Sequence, residues 1–317
     1  MAVEHESGVV LSVVSQPPSK RPRPAMDDYS FRLQVDHIAS LRQLASIIGS
    51  VLKHVEFTLT PHPTLEQTVI LSVDSIDPGN VCMVQSRLTC TGTLEASSVS
   101  FCVDTKTLNT CLRNVKTNHA IELCQYRGTS DVHMNCILVQ MDGSCAPTDL
   151  SFQLSTLDVT SETIDLDSLD YDYVMHINMP QMKSVLKLAK DLACTSIRMR
   201  VLTEGQTQST QTILLEVSGK GDAAFTRLFV SSVVNTEGGN DSHAMKDVEA
   251  GQIDPKSMHV VSAQNYKLEY MIDFLKNMDQ QMLTMKMGKE LPILLHYDLG
   301  VEGSFVRFVM APNVDDT

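Results

Sequence analysis

Apolar positions along the chain recur with two periods, and residues 179–192 show the clearest helical one. At about 100° per residue, their apolar and basic side chains fall on opposite sides of a helix. The apolar side is Val185, Ala189 and Leu192, and the basic side is Lys183, Lys187 and Lys190. Pro180 suits the first helical turn, where its missing N–H would have no partner. Alternating apolar residues before and after this helix predict flanking strands.

The same strand, helix, strand unit is predicted near the start of the chain. Apolar residues alternate from Phe31 to Val35, recur at helical spacing from Ile38, and alternate again from Val55 to Leu59. A shift of 144 residues superimposes the two units. It lays Leu33, Val35, Ile38, Leu41 and Ala45 on Ile177, Met179, Met182, Val185 and Ala189. The chain therefore carries an internal duplication.

Two further helices are predicted, at residues 104–116 and at roughly 263–278. The first begins at Asp104, a favourable N-cap, and carries basic residues opposite its apolar side. The second has Glu269 and Asp273 opposite its apolar side, so its basic character is weak. Short alternating runs separated by turn signals predict strands between the helices, and the fold class is α+β.

Charge is distributed unevenly between the helices and the rest of the chain. The formal net charge of −13 argues against a protein that coats nucleic acid. The predicted helices, counted over residues 36–54, 104–116, 179–193 and 263–278, hold ten Lys and Arg against five Asp and Glu. They carry +5, so the remainder carries −18. A positive surface on a negative body creates a directed field.

A length of 317 residues is sufficient for two domains. The predicted divisions are a disordered tail (1–28), an N-terminal domain (29–142), an extended acidic connector (143–172), and a C-terminal domain (173–317) with an acidic loop at 235–257. The tail contains Lys20, Arg21 and Arg23, a short basic cluster of the nuclear-localisation kind.

The sequence shows no signature of an enzyme, a cofactor or a metal site. Its eight cysteines are at least eight residues apart and form no C-x-x-C, so we expect reduced thiols. It has no G-x-S-x-G, phosphate loop or H-E-x-x-H motif, which argues against a hydrolase or transferase. The apolar runs are too short to span a bilayer, and residues 1–28 lack a secretory signal core. We expect a soluble, intracellular protein without catalytic residues, cofactor, metal or membrane partner.

Several local strings occur in an order that resembles one known family. They are Met179-Pro180 followed by Lys190-Asp191-Leu192, Leu157-Asp158-Val159, Leu291 to Tyr297, and Met310 to Asp316. Over residues 29–317 the chain resembles the proliferating cell nuclear antigen family, the eukaryotic-type sliding DNA clamps. The resemblance implies the DNA clamp fold, in which two similar domains each pack two helices on antiparallel sheets and three subunits form a ring.

This resemblance also implies a function and a set of DNA-binding residues. The function is that of a nuclear sliding clamp, which encircles duplex DNA as a polymerase processivity factor and docks replication and repair proteins. Its partners would be double-stranded DNA, DNA polymerase, the clamp loader and other proteins with short clamp-binding peptides. Arg42, Arg113 and Lys190 match basic channel residues of the family, and Lys53, Lys106, Lys116, Lys183 and Lys187 share their helix faces. Phosphate contacts alone would hold the ring without reading sequence.

A partner pocket and the subunit joints follow from the same resemblance. The pocket accepts an aromatic and aliphatic plug from a short peptide. Its matching positions are Val81, Met83, Ile164, Leu166, Pro292, Val309, Ala311 and Pro312. The joints pair edge strands, and the matching segments 136–141 and 212–217 place Ile137, Val139, Ile213 and Leu215 at the interface. The first hypothesis is a homotrimer. The long tail, inserted loop and divergent connector leave an alternative, a subunit of a heterotrimeric checkpoint (DNA-damage) clamp.

Overall fold

The computed structural model describes residues 28–139, 145–158, 166, 169–203, 211–233 and 258–313. The elements of the first half are β1 (Tyr29–Val35), α1 (Ile38–Ile48), β2 (His54–Pro61), β3 (Thr68–Ile76), β4 (Cys82–Leu94), β5 (Val99–Asp104), α2 (Thr105–Asn114), β6 (His119–Tyr126), β7 (Val132–Val139) and β8 (Cys145–Leu154). Those of the second half are β9 (Tyr173–Asn178), α3 (Met179–Asp191), β10 (Ser196–Thr203), β11 (Gln211–Lys220), β12 (Ala224–Val233), β13 (His259–Lys267), α4 (Leu268–Leu275), β14 (Met282–Met287), β15 (Ile293–Asp298) and β16 (Phe305–Met310). The predicted tail (except Asp28), the acidic loop and most of the later connector lie outside the described residues.

The two halves repeat one order of eight strands and two helices among the described residues. Their strands form a 12-stranded antiparallel sheet along the path β8-β7-β6-β1-β4-β16-β15-β14-β9, with β3, β2 and β5 continuing from β4. A second sheet has the order β12-β11-β10-β13. The α+β class predicted from the sequence is confirmed.

The four helices of the described residues lie in one layer, in which α1 contacts both α2 and α4, and α4 contacts α3. The helices begin where the sequence supplies caps: Asp104 accepts the backbone N–H of Thr107 at 2.7 Å, and Asn178 accepts that of Gln181 at 3.0 Å. Their apolar sides face the sheets, as in the stacking of Phe274 on Phe308 at 4.3 Å between ring centroids. No helix of the described chain has the length and apolar character needed to cross a membrane.

Two of the predicted elements need correction. The fourth helix begins at Leu268 rather than near residue 263, because residues 259–267 form β13 and pair with β10. In this strand Ser262 and Tyr266 are buried, an alternation that sequence reading merged with the following helix. The beginning of the predicted connector is also a strand, since β8 pairs with β7.

The predicted subunit joints also need correction. Ile137 and Val139 lie on β7, which is paired on both edges, with β6 and with β8. Ile213 and Leu215 lie on β11, which is paired with β10 and β12. Both strands are interior, so their backbone groups are already used within the chain. One strand further out on each side, β8 and β12 each pair with a single neighbouring strand among the described residues.

A buried carboxylate joins the β3–β4 turn of the first half to α4 of the second. Asp77 accepts the backbone N–H groups of Gly79 at 3.0 Å and of Val81 and Cys82 at 2.7 Å. It also accepts the Tyr270 hydroxyl at 2.9 Å. Burial raises the pKa of Asp77, but these hydrogen bonds outweigh the effect and hold the pKa below its ordinary value. The charged form of Asp77 therefore stabilises the contact between the halves.

We expect Asp77→Asn to lower the free energy of unfolding by about 3 kcal/mol at pH 7, because donors that faced a carboxylate lose a charged acceptor. A carboxyl group with a lowered folded pKa contributes stability above its unfolded pKa of about 4 and loses it as pH falls through the folded pKa. The difference between variant and parent should therefore shrink at pH 3. Urea unfolding at both pH values checks this.

Asp222→Asn provides the matched control, because Asp222 occupies the corresponding turn between β11 and β12 and is exposed. It should change stability by less than about 0.5 kcal/mol. An Asp77→Asn effect of equal size at pH 3 and pH 7 would contradict the electrostatic explanation.

Candidate nucleic-acid interface and peptide pocket

Six of the eight predicted DNA-binding side chains are exposed. They are Lys53, Lys106, Arg113, Lys116, Lys187 and Lys190. Most belong to α2 or α3, the two outer helices of the layer. Lys53 is located beside the start of α2, since its carbonyl accepts the backbone N–H of Thr105 at 3.0 Å. Exposed ammonium and guanidinium groups can bind phosphate oxygens without reading base sequence.

The other two predicted residues, Arg42 and Lys183, bind the ends of neighbouring helices. Arg42 Nε donates to the carbonyl of Leu112 in the last turn of α2 at 3.0 Å. Lys183 Nζ donates to the carbonyls of Lys276, at 3.5 Å, and Met278, just beyond α4. Burial lowers the pKa of Lys183, and Asp279 opposes that effect. Both cations complement the negative end of a helix dipole. They therefore hold neighbouring helices together in addition to adding positive charge to the layer.

The middle of the layer is less basic than its flanks. Glu269 is exposed on α4, and Asp273 on the same helix pairs with Lys276 at 2.7 Å. Just after α1, Gly49 permits close packing, because a Cβ there would lie 2.5 Å from Asn109 Nδ2 of α2. The exposed basic side chains are therefore divided between α2 and α3. Counting charged residues in the sequence did not show this separation, because it depends on the order of the helices in the layer.

The titratable residues of the described chain were compared with the ligand sets of metal sites and with reactive thiols. No group of three or more His, Cys, Asp or Glu is positioned there to hold a metal ion. Seven of the eight cysteines, all except Cys145, are free and buried. Burial raises the pKa of the Cys136 thiol to about 11 and that of Cys124 to about 12, which disfavours the reactive thiolate.

The structure brings together three of the predicted pocket residues, Met83, Leu166 and Val309. They form an apolar cluster with Leu294, and the half-buried side chains of Ile76, Leu169 and Tyr171 pack against it. Sequence reasoning missed Leu294, although it lies on the same face of its strand as Pro292 and His296 by strand alternation. Leu166 reaches this cluster from the connector, so the connector contacts the sheet here.

The remaining predicted pocket residues border the cluster or lie apart from it. Val81 packs against the main core, and its carbonyl accepts the backbone N–H of Ala311 at 2.9 Å. Ala311 is exposed, while Pro292 and Pro312 are half-buried. Ile164 lies outside the described residues. Since Asp77 also accepts the N–H of Val81, the turn beside the cluster is held rigidly.

Comparison with known proteins identifies the fold. No family model and no curated protein matches the chain. The crystal structure of the proliferating cellular nuclear antigen of Entamoeba histolytica matches with a TM-score of 0.65 and 12% identity, over 90% of this chain and 99% of that one. The PCNA2-PCNA3 complex of Sulfolobus tokodaii matches with a TM-score of 0.63 and 13% identity, over 89% and 99%. The resemblance found in the sequence is thus confirmed at the level of structure: the chain has the sliding-clamp fold of the proliferating cell nuclear antigens.

Proposed function

We propose that this chain forms a homotrimeric ring that encircles duplex DNA, acts as a processivity factor for DNA polymerase and docks replication and repair proteins. One observation carries the proposal: the strands that join the two halves of the chain have counterparts that each pair with only one strand among the described residues. β4 and β16 pair antiparallel over six residue pairs, from Phe305↔Arg87 to Met310↔Cys82. By order in the duplication, their counterparts are β12 and β8.

These counterparts have the character expected of a joint. Within the part of the chain that the structure describes, β12 pairs with β11 alone and β8 pairs with β7 alone. Thr226 and Arg227 on β12 are exposed, as are Leu150 and Gln153 on β8. Pairing of β8 in one copy with β12 in the next would repeat the β4–β16 joint between molecules. A head-to-tail contact of this kind closes into a ring when its rotation permits.

The arrangement of the helices supports the DNA-binding part of the proposal. All four helices share one side of the sheets, so ring closure would direct them together toward the hole. The outer helices α2 and α3 of adjacent copies would become neighbours at each joint, and their exposed cations would combine there. Contacts limited to phosphates suit a ring that moves along DNA, because they are equivalent at every base pair.

The apolar cluster of Met83, Leu166, Leu294 and Val309 supports the docking part. An aromatic or aliphatic side chain from a short peptide of a polymerase, a clamp loader or a repair protein would bind there as a buried anchor. We also propose that the protein acts in the nucleus, directed by Lys20, Arg21 and Arg23 in the tail, which lie outside the described residues.

We expect the purified chain to have a solution mass about three times its 35.0 kDa by light scattering. Leu150→Asp should convert the trimer to monomer at micromolar concentration, because it places a charge in the β8–β12 joint. Leu65→Asp is the matched control, since Leu65 is 55% exposed on the β2–β3 turn and Leu150 is 38% exposed on β8. A concentration-independent monomer of the parent chain would contradict the homotrimer and favour a heteromeric clamp, including the checkpoint type.

We expect Lys187→Glu combined with Lys190→Glu to weaken binding of duplex DNA roughly tenfold at about 0.1 M salt, because two phosphate contacts become repulsive. Fluorescence anisotropy with two labelled duplexes of unrelated sequence measures this, and both should bind equally. Lys289→Glu, at an exposed lysine of the β14–β15 turn, is the control. An equal loss in the control, or a strong preference for one duplex, would argue against a sliding interface on the helices.

A further inference from the structure

The sheet face opposite the helices carries a second group of basic side chains. Side chains alternate along β4 and β16, and the members on the helix side are core residues: Val84, Ser86, Val306 and Phe308. The intervening members face away from the helices. They are Met83, Gln85 and Arg87 on β4, and Phe305, Arg307 and Val309 on β16. This outer face therefore combines the apolar cluster with two arginines.

The ring of Phe305 organises the polar part of this face. The guanidinium carbon of Arg307 lies 4.4 Å from the centroid of the ring, and that of Arg87 lies 5.7 Å from it. The imidazole of His296 lies against the same ring, at 5.3 Å between centroids. Two cations sharing one aromatic ring form a flat, positively charged platform.

Hydrogen bonds fix one of the two arginines and leave the other exposed. Arg307 Nη1 donates to Gln85 Oε1 at 3.0 Å, and its Nε donates to His296 Nδ1 at 3.4 Å. Gln85 in turn donates to Asp74 at 2.9 Å. Arg87 is exposed and forms no ion pair with the residues that the structure describes. Arg307 is thus preorganised, and Arg87 can move toward a ligand.

Positive charges outnumber negative ones among the groups that act on His296, beside the platform. Burial lowers the pKa of His296, and the charges of Arg307 and Lys286 lower it further against the opposing effect of Asp298. The nearby carboxylates have donors of their own: Asp74 accepts from Gln85, and Asp298 accepts the backbone N–H of Gly300 at 2.7 Å. The charges of Arg307 and Lys286 beside the ring of Phe305 favour the approach of an anion.

The platform and the apolar cluster are parts of one surface. Arg87 lies four residues after Met83 on β4, and Phe305 lies four residues before Val309 on the paired strand. At about 3.3 Å per residue, the two sites are roughly 13 Å apart. An extended peptide with an apolar anchor in the cluster would place side chains about four residues away over the platform.

We propose that Arg87, Phe305 and Arg307 bind the carboxylates of an acidic segment that flanks the apolar anchor of a docked peptide. The inference rests on the docking part of the proposed function and is independent of the ring and of DNA. A guanidinium group binds a carboxylate through paired N–H donors, and stacking on Phe305 fixes the plane of one such group. Two arginines at one aromatic ring offer too few phosphate contacts for a long polyanion such as nucleic acid.

Labelled peptides test the proposal by fluorescence anisotropy with the full chain. Each peptide has one Leu and Phe anchor and a four-residue flank of Glu, Gln or Lys, placed at either end of the anchor. We expect the Glu flank to bind about fivefold more tightly than the Gln flank at about 50 mM salt, and the Lys flank to bind most weakly. The preference should diminish at about 300 mM salt because the contact is largely exposed.

Substitutions of Arg87 test whether the preference for the Glu flank arises from the platform. Arg87→Ala should bring the Glu and Gln flanks within about twofold of each other, and Arg87→Lys should retain part of the difference. Arg198→Ala, at an exposed arginine of β10 outside the platform, should leave the preference unchanged. The Gln peptide should bind the parent and both alanine variants alike, which shows that the apolar cluster is intact.

The outcomes separate this inference from the proposal on which it rests. If none of the peptides binds, the docking site itself is wrong. If all flanks bind equally, or if Arg87→Ala leaves the Glu preference intact, the platform proposal is overturned while docking stands. Arg87-dependent binding of a single-stranded oligonucleotide without any peptide preference would assign the site to nucleic acid. A change in solution mass with Arg87→Ala would assign it to contacts between copies.

Discussion

The antiparallel pairing of β4 with β16 is the interaction on which the arrangement of the chain depends. It joins two halves that each have the same order of strands and helices, and it makes their sheets continuous. Because the sheet is continuous, both pairs of helices pack on one side of it, with Phe274 stacked on Phe308 beneath the joint. The buried Asp77 strengthens the same contact through hydrogen bonds from both halves. Because the helices share one side of the sheet, their basic side chains lie on a single surface.

The same sheet separates two kinds of chemistry onto opposite faces. The helix side carries exposed lysines and arginines on α2 and α3, suited to a polyanion that needs no sequence readout. The other side carries the apolar cluster next to the Arg87–Phe305–Arg307 platform, suited to short peptides. The chain has a net charge of −13, so each of these positively charged regions is confined to a small area. Each region can therefore select its partner by electrostatic attraction as well as by direct contact.

Sequence periodicity predicted most of this architecture, and its errors have definite causes. The 3.6-residue pattern of α3 and the two-residue pattern of its neighbours are local signals, so both elements were predicted. The start of α4 was misplaced because β13 leads directly into it and both have an apolar residue at similar intervals. Segments 136–141 and 212–217 were predicted as edge strands but belong to the interior strands β7 and β11, because alternation identifies a strand without saying whether its edges are paired. Leu294 was missed since its role requires contact with residues more than a hundred positions away.

The sequence by itself determined the α+β class, the duplication, the basic character of three helices and the absence of recognisable catalytic motifs, because these properties depend on residue type and short-range spacing. Only the tertiary structure decided which of the described strands have an unpaired edge and which basic side chains are exposed. It assigned Arg42 and Lys183 to helix ends, and it placed Arg87 beside Phe305 and Arg307 through strand register. Register and helix order arise from contacts between distant segments, and no local pattern encodes them.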